Sequence, residues 1–154
     1  MPTLASQTKL AGTGDYGCRH VEEIISEYQA ETFVPLEPLI LISIARSYDE
    51  EGRSVYDAVR GVWRIDVQRA AKCHLVLAHR RGIVIGAFRP AAWLPATNAN
   101  FPFLDFDIPG RSGFVGTEAE PEIGAIYLQK RVPDAFRTKG AANPIRFVDG
   151  ALHD

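Results

Sequence analysis

Cysteine is scarce in this chain: Cys18 and Cys73 stand far apart and share no CxxC spacing. That excludes a disulfide-stapled scaffold and a cysteine-built zinc site. A reducing cytoplasm is the simpler setting, with a single Cys18–Cys73 bridge left open. Long apolar runs are missing too. The longest, such as Leu39–Ile42, fall far short of the roughly 20 residues a membrane-spanning helix needs. The opening MPTLASQTKLAG has neither the basic start nor the apolar core of a secretion signal. The expectation is a soluble, cytoplasmic protein with no membrane partner. Lysine is also rare, four residues against thirteen arginines. Arginine's planar fork suits phosphates, base edges and aromatic rings, although a GC-rich genome produces the same ratio.

The most telling absence is positional. Between residues 58 and 100 a single acidic residue, Asp66, faces Arg60, Arg64, Arg69, Lys72, Arg80, Arg81 and Arg89, a local charge of +6. Residues 1–57 carry −6 and residues 101–154 carry −2, so the net charge of −2 conceals a strong asymmetry. Genome bias does not explain why acids avoid this stretch. The chain's two tryptophans, Trp63 and Trp93, bracket the apolar runs inside it. At 154 residues, 46% hydrophobic and 23% charged, the chain is long enough to bury a core without staples.

Periodicity supplies the elements. Residues 1–17 are small, polar and glycine-rich, an arm rather than a packed element. Val21, Ile24, Ile25 and Tyr28, interleaved with Glu22, Glu23 and Glu27, predict an amphipathic helix over 19–30. LILISI (39–44) reads as a strand, and residues 54–59 as a short helix with Ser54 as N-cap and Gly61 as its stop. Strands are expected at Val62–Ile65, Cys73–His79, Ile83–Phe88, Ser112–Thr117 and Ile123–Leu128, with a closing strand near the end of 139–148. The pair around Arg80-Arg81-Gly82 is a hairpin. Both faces of these runs are apolar, which suits a closed barrel covered outside by helices. The expected class is therefore α+β: a small, mainly antiparallel β-barrel over 39–154, with residues 1–38 an arm and helix packed on it.

Several constellations have the residue types that chemistry uses. Gly12-Thr-Gly14-Asp-Tyr-Gly17 spells GxGxxG, but no buried strand precedes it as a dinucleotide site requires. Cys73 and His74 are adjacent, so on a strand they face opposite ways and cannot share a metal ion. Asp105 and Asp107, like Glu118, Glu120 and Glu122, share a face at alternate positions, a geometry that suits Mg²⁺ for phosphodiester cleavage. No nuclease-type lysine follows them, and no nucleophile elbow is present. No cofactor is expected.

Residues 39–148 resemble a group of small bacterial proteins and modules. The shared pattern is the ILISIARSY strand, Tyr56-x3-Arg60-Gly61-x-Trp63-Arg64, an apolar hairpin ending in Trp93, Phe114-x-Gly116, and Gly140-x-x-Asn143-Pro144-Ile145. The order Gly-x-Trp, hairpin, Phe-x-Gly is similar to the PUA-like barrel superfamily, which includes the ASCH, EVE and YTH domains. The resemblance implies a barrel that holds a nucleobase, often modified, in an aromatic pocket. Trp63 matches the Gly-x-Trp tryptophan, Trp93 supplies a second wall, and Phe114 faces the core. The Asn or Asp that reads the base edge has no clear counterpart; Ser43, Ser47 and Asp66 are the candidates. Arg60 and Arg64 flank the tryptophan element and are expected to touch the ligand. Arg80, Arg81 and Lys139 are candidates for phosphate. The leading expectation is a non-enzymatic module that binds DNA or RNA. The alternatives are a Mg²⁺-dependent nucleic-acid-processing enzyme, and a protein-interaction module docking on a partner or a second copy of the chain.

Overall fold

The run LILIS forms the interior strand β1 (Leu39–Ser43), and its lack of apolar–polar alternation shows why: residues 39–42 are buried on both faces of a sheet. The computed structural model describes residues 30–44, 54–137 and 143–149. The chain divides into a unit of residues 1–31 and a unit from Thr32 to Asp154, and every element below belongs to the second. The helix expected from residue 19, the Gly12–Gly17 run, Cys18, Ser47 and Lys139 lie outside the described residues.

After β1 come two short helices, α1 (Val55–Arg60) and α2 (Val67–Ala70). Ser54 caps α1 as expected, its Oγ accepting from the Asp57 amide at 3.1 Å. Asp66 caps α2, accepting from the amides of Gln68 and Arg69 at 3.0 and 3.2 Å. Strands β2 (Val76–Arg80) and β3 (Ile83–Pro95) form the expected hairpin. Its two-residue turn, Arg81 and Gly82, has φ of 55° and 82°, the primed geometry that matches strand twist. Then follow β4 (Ser112–Glu118), helix α3 (Pro121–Tyr127), a single 3₁₀ turn (Asp134–Phe136) and β5 (Ile145–Val148).

The strands make one open sheet in the order β4-β3-β2-β1-β5, parallel only between β1 and β2. The closed barrel is thus corrected to an α+β fold on a mixed five-stranded sheet. Apolar faces report that both sides are covered, not that the edges meet. One face packs Ile40, Ile42, Val76, Ala78, Phe88 and Phe114 against Ala58 and Val59 of α1 and Ala70 of α2. The other packs Leu39, Leu41, Leu75, Leu77 and Val84 against Phe33, Tyr127 of α3 and Val132.

Four strand expectations change as well: the strand expected at Ile83–Phe88 runs on to Pro95. Val62–Ile65 is not a strand: Trp63 alone bridges Ser112 at the outer edge of β4. The Cys73–His79 strand begins only at Val76. Ile123–Leu128 is helical, because Pro121 sits at the first helical position and Ile123, Ile126 and Tyr127 recur on one face. Tyr127 is fully buried, and its hydroxyl accepts from the Leu36 amide at 2.9 Å. Burial is the main cause that raises its pKa. Tyr127→Phe leaves that amide without its partner and is expected to cost about 1–3 kcal/mol in urea unfolding.

Candidate nucleic-acid interface

Trp63 lies just beyond the end of α1. Its amide donates to the Ser112 carbonyl at 2.7 Å, and the Ser112 amide returns a bond at 2.9 Å. Its indole Nε1 donates to the Val59 carbonyl, also at 2.7 Å, which holds the ring against α1. Trp93 is opposite Phe114 in the β3–β4 register, with ring centroids 5.1 Å apart. Residues paired across antiparallel strands project to the same face, and so do Ser112 and Phe114, two apart on β4. Trp63, Phe114 and Trp93 therefore share one face. Phe114 is fully buried, as expected, while the two indoles on either side of it are half-buried. The Trp93 Nε1 is shielded from water and has no hydrogen-bond partner.

Arg60, the last residue of α1, is held locally. Its Nε is 3.2 Å from an Asp57 carboxylate oxygen. Its guanidinium lies over the rings of Tyr56, Phe103 and Phe101 at 5.0, 5.3 and 5.8 Å. That arrangement fastens the loop between β3 and β4 to α1, a structural role beside the ligand contact expected from sequence. The loop is further tied by its own bonds: the Asn98 amide donates to Asp107, and the Asn98 side chain to the Leu104 carbonyl. Phe101 is its buried anchor, whereas Phe106 is 69% exposed.

Arg64 is exposed and lines a polar cleft of about 510 Å³. One wall is Arg64, Ile65, Asp66 and Arg69; the other is Asn143 and β5 residues Ile145, Arg146 and Phe147. The Arg69 guanidinium stacks 4.3 Å from the Phe147 ring centroid. Arg146 sends its Nη2 to the Ala135 carbonyl at 3.3 Å, with its guanidinium over Phe136. Asp66 is engaged in capping α2. A neighbouring cleft of about 640 Å³ shares Asp66 and Arg69 and adds Lys72, Cys73 and Asp149. The Cys73 thiol is buried and free, its pKa pushed up first by burial and then by Asp149. A third, mainly apolar cleft of about 980 Å³ lies between α1, α3 and the β3–β4 edge, floored by Gly86, Ala87 and Gly116. Neither indole lines these three clefts.

The remaining candidates gather at one end of the sheet. Ser43 closes β1 beside His79 of β2, and its amide donates to the Pro144 carbonyl at 3.0 Å. Arg80 and Arg81 lead into the adjacent turn. The sheet thus separates Ser43, Arg80 and Arg81 from the Trp93 end of β3, a division the sequence order hides.

The carboxylates read as a possible Mg²⁺ pair are exposed, and two have partners. Asp107 accepts from Asn98, and Glu120 accepts from Arg89 Nε at 2.9 Å. Among the described residues no group of three His, Cys, Asp or Glu side chains is placed to hold a metal ion. Arg89, counted in the basic stretch, is spent: it also pairs with Glu37 at 3.0 Å and donates to the His74 carbonyl. Sequence reasoning overlooked Arg69 with Phe147, a contact across 78 positions that no local pattern signals. No helix among the described residues is long and apolar enough to cross a membrane. No protein-family profile matches the chain, and no curated protein or solved structure matches it significantly.

Proposed function

We propose that this chain is a nucleic-acid-binding module that holds an unpaired or modified base of DNA or RNA against Trp63 and Trp93. The observation that carries the reading is the pair of half-buried indoles on one sheet face, either side of Phe114. An indole anchored at one side and open at the other is a stacking platform, worth roughly 1–3 kcal/mol per base. A half-buried ring is out of reach of a base inside a duplex, so the ligand is single-stranded or flipped out. The Trp93 Nε1, unlike that of Trp63, is a donor with no acceptor. Shielded from water, it is out of a ligand's reach, so the contact proposed is with the indole face. The same reading takes the sheet and its covering layers as a PUA-like fold. The enzymatic alternative gains little from the carboxylates: Asp107 and Glu120 have internal partners, and among the described residues no three are grouped to hold a metal ion.

Short DNA and RNA oligonucleotides titrated at low salt should quench tryptophan emission to saturation. Trp93→Ala removes the stacking ring, and it should weaken binding about fivefold or more. The absence of any quenching or binding by single-stranded DNA and RNA at low salt would overturn the proposal.

A further inference from the structure

We infer that the polar cleft beside β5 carries the phosphodiester backbone of the ligand whose base the tryptophans hold, an assignment that rests on the reading above. Position comes first. Trp63 and Ile65 pack into the core and Arg64 between them is exposed, so the residue after the stacking ring turns a cation outward at the cleft wall. A strand leaving a base on Trp63 meets Arg64 immediately.

The charges inside the cleft then select the ligand. Of its three arginines, Arg146 is directed to the Ala135 carbonyl and the Phe136 ring. Arg64 and Arg69 remain as the cations of the opposite wall, and the one carboxylate there, Asp66, is engaged by two backbone amides of α2. Arg69 lies over the Phe147 ring with its guanidinium carbon 4.3 Å from the centroid, a contact that holds the cation in place at the cleft wall. A guanidinium so held is preorganised for a phosphate's paired oxygens. The facing wall is β5, the last strand of the sheet among the described residues, which pairs with β1. The neighbouring cleft shares Asp66 and Arg69 and adds Lys72 together with a second carboxylate, Asp149, so the excess of positive charge lies in the cleft of Arg64 and Arg69. Two cations in a polar cleft, with the Trp63 ring next to Arg64 in the chain, match a single strand and not a free nucleoside.

The test compares wild type with the Arg64→Gln/Arg69→Gln double variant, using fluorescein-labelled single-stranded oligonucleotides across a salt series. Each phosphate contact on a single strand adds about 0.7 to the slope of log K against log salt. The double variant should therefore lose about 1.4 of slope, and roughly equally for every sequence tried. Arg69→Lys retains the charge and should recover most of the slope, whereas Arg137→Gln, outside the cleft, should leave it unchanged. An unphosphorylated nucleoside should quench wild type and the double variant alike. If oligonucleotides bind wild type and the double variant keeps the full slope and affinity, the cleft assignment fails and the base reading stands. If no oligonucleotide binds wild type at low salt, both fail together.

Discussion

Gly116→Ala is expected to destabilise the protein by about 3 kcal/mol or more, the upper end of what overpacking costs. β3 is bulged between Pro90 and Ala92, and the bulge brings the Arg89 carbonyl against Gly116 of β4. A methyl group there would collide with that backbone oxygen, which has no rotamer to escape into. The Gly116 amide also donates to the Tyr56 hydroxyl at 3.0 Å, so displacing β4 breaks its tie to α1. Gly110→Ala is the control. Its position has open space but a φ of 83°, so it should lose only the left-handed backbone penalty of about 1–2 kcal/mol. Urea denaturation of the two variants decides the matter, and a Gly116→Ala loss no larger than that of Gly110→Ala would show that the β3–β4 approach yields easily. The Phe-x-Gly element thus has a packing explanation: Phe114 fills the core and Gly116 lets the bulge close.

Acid should destabilise the protein by about 3 kcal/mol through His79 alone, taking 1.36 kcal/mol per pKa unit. Burial, and secondarily the Arg137 cation, lowers its pKa from 6.5 to about 4. Its Nδ1 is shielded and has no hydrogen-bond partner. The unfolded chain therefore takes up this proton first as pH falls. Stability is unaffected above about 6.5, declines between 6.5 and 4, and levels off below 4 as far as this group is concerned. Glu120, held below its ordinary pKa chiefly by its hydrogen bond to Arg89, acts in the same direction but lower on the scale, in the carboxylate range. Unfolding free energies measured from pH 7 to 4 should fall for wild type, and the decline above pH 5 should largely vanish in His79→Gln. An equal decline in both proteins would assign the acid sensitivity elsewhere.

Local signals served well where the cause is local. Ser54 three residues before Asp57, and Arg81-Gly82 between apolar runs, carry their own geometry, and α1 and the β2–β3 turn form as read. Trp63 and Trp93 were identified by their rarity and place, and the fold does put them on one face. The run 123–128 forms a helix and not a strand because a short apolar run has no decisive period, and Pro121 starts the helix ahead of it. Counting charge failed for Arg89, whose partners Glu37 and Glu120 are 52 and 31 positions away.

Composition and spacing were enough to establish an α+β chain, the strand at 39–43, its hairpin and the two aromatic residues worth following. Each of those rests on neighbours within a few positions, where backbone preference and side-chain period act directly. Whether the edges of the sheet join, which cations are neutralised and which ones face a cleft depend on contacts between distant segments. Folding brings Phe147 under Arg69 and turns Arg146 toward Ala135. Those pairings arise from packing free energy shared over the whole core, and no stretch of residues read alone contains it.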